Sequence, residues 1–282
     1  MVEPLISALE LQDLVNDDNG LVLLDARHDL SNHQLGKEQY LEGHIPGAVF
    51  LDHERQLCGV KTGSNGRHPL PERSDFIQLI AGLGIRQDAN IVVYDARDSM
   101  FAAHLWWMLR WIGCMNVRVL NGGWSAWNQI SGDVERSEPA PRQPVQWAST
   151  TAAMPVVNAS EVLNNINQPV RTLIDARAEN RYRGDIEPMD PVAGHIPGAV
   201  NWPFSRNLDS DGFFRPTPEL RADFTVLLDG QTPEKVIHQC GSGISACHNL
   251  LAMEVAGLTG SALYPGSWSE WCSDASRPVV TP

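Results

Sequence analysis

A cysteine in a glycine-flanked turn, Val236-Ile-His-Gln-Cys240-Gly-Ser-Gly-Ile-Ser245, is the segment of this chain best suited to nucleophilic chemistry. The apolar residues before Cys240 read as a buried strand and Ser245 to Ala256 as a helix. The thiol therefore falls at a strand end just before a helix start, where open α/β sheets favour ligands. Gly241 and Gly243 permit positive φ and carry no side chains, so successive backbone N–H groups can turn toward the sulfur. The free N–H groups of the first helical turn add partial positive charge. Both effects favour thiolate over thiol, and the thiolate is the nucleophile.

A C-G-x-G turn taken alone also suits a small buried cysteine in a tight bend. The second occurrence of the same plan argues otherwise. Gly43-His-Ile-Pro-Gly-Ala-Val49 recurs as Gly194-His-Ile-Pro-Gly-Ala-Val200, and each copy follows an Asp-Ala-Arg triplet, Asp25 to Arg27 and Asp175 to Arg177. Where the second module has Cys240 the first has Asp95, in Val93-Tyr-Asp95-Ala-Arg-Asp-Ser99. A carboxylate cannot accept a sulfur atom. This loop lacks glycines and carries Arg97 and Asp98, so the expectation is that it does not form the same amide cradle and that the first module is catalytically silent. His44 and His195 occur in both modules and cannot explain the difference, so a structural role is expected of them. Asp25 with Arg27 and Asp175 with Arg177 read in the same way as scaffold pairs at strand ends. Cys247, two helical turns beyond Cys240, reads as core.

The elements that must position these groups also come in pairs. Ser7 with Glu10 and Asn158 with Glu161 have capping-box spacing and each opens a helix. Leu21 to Leu24 and Thr172 to Ile174 are short apolar runs ending at the two aspartates, as buried parallel strands do. Pro71-Glu72 and Pro218-Glu219 mark further helix starts, with Thr217 as a cap for the second. Ile91 to Tyr94 matches Val236 to Gln239 as a strand, and Phe101 to Ile112 matches the helix after Cys240. Val119 to Trp127 and Leu263 to Trp271 each give a strand, a turn and a helix with two tryptophans three apart, which points to core packing. The order is α/β, with a mainly parallel sheet flanked by helices in each module. Pro139, Pro141 and Pro144 lie in a polar stretch without apolar period. The expected division is therefore 1–135, a linker at 136–151, and 152–282.

A chain of 282 residues with 43% hydrophobic residues supports two cores of this kind. Its formal charge of −13 and scattered basic residues give no footprint for nucleic acid or an anionic membrane. Residues 1–20 lack the basic and apolar regions of a signal peptide, and no run of apolar residues is long enough to span a bilayer. Five cysteines, an odd number without metal-ligand spacing, suit free thiols in a reducing compartment. The expectation is a cytoplasmic protein with no metal and no organic cofactor.

The paired D-A-R and G-H-I-P-G-A motifs with a single C-G-S-G loop resemble the tandem-domain rhodanese family of sulfurtransferases over essentially the whole chain. The resemblance implies two rhodanese-like domains, the first inactive and the second passing sulfane sulfur through a persulfide on Cys240. An uncharged loop, here Gly241, Ser242, Gly243, Ile244 and Ser245, resembles that of members acting on 3-mercaptopyruvate; thiosulfate-using members carry basic residues there. By the same resemblance Ser242 works with a histidine, His68 in Arg67-His-Pro-Leu-Pro71, and with an acid from the first domain, which falls at Glu54 in place of aspartate. Arg181 matches an arginine that holds a substrate carboxylate. Met189, in Glu187-Pro-Met189, stands where a second arginine is common, with Arg183 or a residue of the first module as the expected substitute. The implied partners are a small anionic sulfur donor and a thiol acceptor such as thioredoxin. Ala246 occupies the position where a related phosphatase would need arginine. A non-catalytic sulfur-binding or redox-sensing module is the reading of another class.

Overall fold

The computed structural model describes residues 3–17, 20–148 and 151–281. The ends of the expected signal-free stretch, at 1–2 and 18–19, and positions 149–150 of the expected linker lie outside them. In chain order the elements of the first half are β1 (Leu5–Ile6), α1 (Ala8–Asn16), β2 (Val22–Asp25), α2 (Leu35–Glu42), β3 (Val49–Phe50), α3 (His53–Gln56), α4 (Arg73–Gly82), β4 (Ile91–Tyr94), α5 (Met100–Ile112), β5 (Val117–Leu120) and α6 (Gly123–Gln129). The second half has α7 (Ala159–Asn167), β6 (Thr172–Asp175), α8 (Glu179–Arg183), β7 (Val200–Asn201), α9 (Thr217–Leu228), β8 (Val236–Gln239), α10 (Ile244–Val255), β9 (Ala262–Leu263) and α11 (Ser267–Trp271), with two short 3₁₀ turns at Phe204–Asn207 and Pro233–Lys235.

Each half builds one parallel sheet. The first has strand order β1-β5-β4-β2-β3 and the second β7-β6-β8-β9. Every strand pair in both sheets is parallel. The central strands β2 and β4, and β8 in the second sheet, are buried at every residue, which is why β2 and β4 read as near-continuous apolar runs rather than alternating ones, while β8 buries His238 and Gln239 after Val236 and Ile237. Both capping boxes form as the spacing predicts, with Ser7 and Asn158 accepting from the amides of Glu10 and Glu161. Two helix starts differ from expectation. Pro71 precedes α4, whose cap is Glu72, and Thr217 is the first residue of α9 rather than its cap.

The chain clusters into two compact units that do not follow sequence order. One consists of Met1–Gly59, Leu70–Ala153 and Ser210–Phe214; the other of Val60–Pro69, Met154–Asp209 and Arg215–Pro282. The proline-rich stretch expected as a linker packs on the first unit. Val145 donates its amide to the Ala81 carbonyl at 2.9 Å, and the Trp147 indole N–H donates to the Ile85 carbonyl at 2.8 Å.

Repeated motifs make repeated contacts. The Arg27 guanidinium donates to Asp25 at 2.6 Å and to the Gly43 carbonyl at 2.8 Å; Arg177 repeats this on Asp175 at 2.7 Å and Gly194 at 2.8 Å. Each arginine is buried and lies over a tryptophan, 4.8 Å from Trp124 and 4.6 Å from Trp268. His44 and His195 each place Nδ1 2.8 Å from the carbonyl of Tyr40 or Tyr182 and stack on that tyrosine. These groups are structural, as their occurrence in both modules predicts. Trp127, Trp268 and Trp271 lie in the two cores.

Candidate active site

Cys240 follows directly on β8 and stands four residues before α10, 2% exposed. Its backbone is fixed on both sides. The Cys240 amide donates to the Ser267 hydroxyl at 3.1 Å, and its carbonyl accepts from Trp268 at 2.9 Å. The Gly241 carbonyl accepts from Ser269 at 2.9 Å, so the start of α11 pins the loop. Gly243 has φ of +89°, and a Cβ there would come within 2.6 Å of the Pro265 carbonyl, so glycine is required for conformation and for space. This turn brings the Gly243 amide to 3.2 Å from Cys240 Sγ, an N–H pointed at the sulfur just ahead of the helix N-terminus. Ile244 is buried and Ser245 partly so. Cys247 is wholly buried, its thiol donating to the Gly243 carbonyl at 3.3 Å, and burial holds its pKa well above the ordinary thiol value. It belongs to the core.

Ser242 lies within the loop. The residue before α10 is Gly243 and no side chain caps that helix, so Ser242 is not a cap. Its hydroxyl meets His68 Nδ1 at 2.8 Å, with both residues 6% exposed. His68 arrives on Val60–Pro69, which belongs to the same compact unit as Cys240 although it precedes that unit's other residues by more than eighty positions. Glu54 sits on α3 in the first unit, its Oε1 3.8 Å from His33 Nδ1.

Arg181 extends from α8 and donates to Glu187 at 2.7 and 3.2 Å and to Asp190 at 3.3 Å. Arg177 also reaches Glu187, at 3.5 Å. Burial works against the Arg177 charge, yet Asp175, Glu187 and Cys240 together hold its pKa above the ordinary arginine value. A third guanidinium belongs to this group. Arg67 pairs with Asp190, and its amide is held by the Ser269 hydroxyl at 3.0 Å. A Cβ on Gly241 would stand 2.9 Å from Arg67 Nη2 and 3.5 Å from Arg181 Nη1, so two guanidinium groups converge beside the loop where Gly241 leaves room. Arg183, by contrast, is spent on Glu179 and Asp185 at the surface, and Met189 is 40% exposed. Arg67, Glu187 and Asp190 are the site residues that sequence reasoning did not pick out; the adjacency of Arg67 to His68 was the available signal.

The equivalent loop of the first unit forms a cradle of a different kind. The Asp95 carboxylate accepts from the amides of Arg97, Ser99, Phe101 and Ala102 at 3.0 to 3.1 Å. An amide cradle does form without glycines, because Ser99 adopts a left-handed φ of +60°. Burial and the neighbouring Asp98 push the Asp95 acid up to about 7, against the pull of the amides. The cradle holds its own side chain and has no thiol.

Comparison with known proteins agrees with this geometry. A family model described as "Rhodanese-like domain" matches residues 7–130 and 158–274. The chain is 41% identical over 279 residues to the Pseudomonas aeruginosa protein named "Probable 3-mercaptopyruvate sulfurtransferase", covering 98% of both. It is 37% identical over 257 residues to the Bos taurus "Thiosulfate sulfurtransferase", covering 89% of this chain and 85% of that protein. Among solved structures, the 3-mercaptopyruvate sulfurtransferase of Escherichia coli superposes with a TM-score of 0.80 at 31% identity, covering 95% of this chain and 99% of that one. With one domain match in each half of the chain, and a glycine-flanked cysteine turn in the second alone, this protein belongs to the rhodanese family as a tandem pair of rhodanese-like domains.

Proposed function

We propose that this chain is a sulfurtransferase that takes sulfur from 3-mercaptopyruvate onto Cys240 and passes it to a thiol acceptor or cyanide. The observation that carries the donor assignment is the 2.8 Å contact between His68 and Ser242 in a loop with no charged side chain. When the Cys240 thiolate attacks the sulfur of 3-mercaptopyruvate, the S–S bond forms, the C–S bond breaks and its electron pair leaves on pyruvate enolate. That carbanion needs a proton. Ser242, supplied through His68, donates it and yields pyruvate, while Cys240 keeps the persulfide. Thiosulfate releases sulfite, already a stable anion, and has no use for such a donor.

Charge balance supports the same donor. Arg67, Arg177 and Arg181 face Asp175, Glu187 and Asp190, three cations against three carboxylates, so the pocket has little net attraction for a dianion approaching a thiolate. A monocarboxylate needs only one bidentate arginine. Arg181 and Arg67 together fulfil that task, with Arg67 standing in for the arginine that Met189 replaces. Gly241, Gly243, Ile244 and Ser245 supply the loop backbone around the transferred sulfur. In the second half-reaction an acceptor thiolate attacks the outer sulfur and restores the Cys240 thiolate. A dithiol such as thioredoxin, in a reducing cytoplasm where five free cysteines persist, suits that role.

The second reading is thiosulfate as donor, favoured by the name of the Bos taurus relative. Steady-state kinetics with each donor and cyanide as common acceptor separate the two. The expected result is a higher kcat/KM for 3-mercaptopyruvate and no turnover in Cys240→Ser with either donor. Preference for thiosulfate reverses the donor assignment. Full activity in Cys240→Ser, the result a non-catalytic redox-sensing module also excludes, overturns the persulfide mechanism.

A further inference from the structure

The first unit gathers two imidazoles that the sulfur chemistry of Cys240 does not use, His28 and His33, beside Glu54. His28 follows the Asp-Ala-Arg triplet at the end of β2, His33 lies five residues on, and Glu54 is on α3. One donor atom from each falls within 4.8 Å of the other two. His28 Nε2 and His33 Nδ1 are 3.4 Å apart, and His33 Nδ1 is 3.8 Å from Glu54 Oε1. Zinc bound at about 2.0–2.2 Å to tetrahedral nitrogen and oxygen ligands separates neighbouring ligand atoms by about 3.3–3.5 Å. The separations of 3.4 and 3.8 Å from His33 Nδ1 are thus near the edge length of a metal tetrahedron, and 3.4 Å is long for a hydrogen bond between two imidazoles.

The loop that folds His33 back toward His28 is braced before any ion arrives. Asp29 Oδ1 accepts from the Ser31 amide at 2.8 Å, the Ser31 hydroxyl at 2.5 Å and the Asn32 amide at 2.9 Å. On the other side, Asp52 Oδ1 accepts from the Arg55 amide at 3.1 Å and caps the turn that carries Glu54. His33 is half exposed, which leaves an entry path and room for a water as fourth ligand.

The geometry points to a site for one divalent transition metal ion, zinc in the first instance, held by His28, His33 and one oxygen of Glu54 in the first unit. Two imidazoles and a carboxylate suit zinc and its neighbours and disfavour magnesium or calcium, which take oxygen ligands. The ion uses Glu54 Oε1 alone, so the second carboxylate oxygen is not required by it.

The test is calorimetric titration of chelator-treated, full-length protein with zinc, repeated with cobalt to read the ligand set by absorption. One saturable equivalent is expected, retained in Cys240→Ser and in Cys58→Ser and weakened more than ~100-fold in His28→Ala and in His33→Ala, beyond what loss of a supporting partner does. The cobalt spectrum should show tetrahedral ligand-field bands without thiolate charge transfer. Absence of a saturable equivalent, or its survival in both histidine variants, overturns the site. Loss in Cys58→Ser with thiolate charge transfer also overturns it, by moving the ion to the neighbouring His53, Glu54 and Cys58.

Discussion

In the proposed mechanism Ser242 and Cys240, two positions apart, have different work, one supplying a proton and the other receiving sulfur, and this division is testable. Ser242→Ala and His68→Ala should each lower kcat for 3-mercaptopyruvate by about 10²–10⁴-fold, the range for loss of general acid catalysis, while thiosulfate turnover changes little. Equal losses with both donors would mean that the pair only shapes the loop. Arg67 makes a different prediction, because in the proposed site it holds the substrate carboxylate in ground and transition states alike. Arg67→Ala should raise KM for 3-mercaptopyruvate with a smaller change in kcat, read by initial rates over a range of donor concentration. Unchanged KM would leave Arg181 as sole carboxylate ligand. Cys240 and Ser242 were legible in the sequence because local order alone places them at a strand end. Arg67 was not, because Asp190 and Gly241, which give it meaning, are more than a hundred positions away.

At the scale of elements, β8 and α10 hold the loop between them, and β8 contains a buried titratable group. His238 is fully buried, its Nε2 3.1 Å from Met253 Sδ on α10, and burial pushes its pKa down to about 3. The unfolded chain binds a proton there near pH 6.5 and the folded chain does not until about pH 3. The contribution to stability is therefore whole above about pH 6.5 and declines as pH falls toward 3, at up to about 1.4 kcal/mol per pH unit for one proton. Urea unfolding between pH 7 and 4 should show this slope in the wild type and a shallower one in His238→Leu. Equal slopes would mean that His238 is protonated in the folded state. The strand itself was expected from Val236 and Ile237 and from its match to Ile91–Tyr94, and it is buried on both faces as a central parallel strand is. The cradle around Asp95 was not, because glycine content is a poor guide when a single serine can adopt positive φ.

At the scale of the whole molecule, the stretch at 136–148 is part of the first unit. A fragment ending at 135 loses the Val145 and Trp147 hydrogen bonds and the burial of the indole. Two such bonds at about 1 kcal/mol each predict that 1–135 melts about 5 °C or more below 1–153 by circular dichroism. Equal melting temperatures would restore the stretch to the status of a linker. Prolines and polar residues were read as punctuation because a lone indole and one amide hydrogen bond leave no periodic trace.

The amino-acid sequence by itself determined the duplication, the parallel α/β plan of each half and the single divergence of Cys240 from Asp95. These depend on local order, on apolar runs, capping spacings and glycines whose effects are felt within a few residues. Tertiary structure alone decided that His68 meets Ser242, that Arg67 joins Arg181 at Gly241, and that His28 and His33 gather about Glu54. Such groups are brought together by chain crossings between distant segments, and a side chain's partner across a crossing is set by packing rather than by its neighbours in the chain.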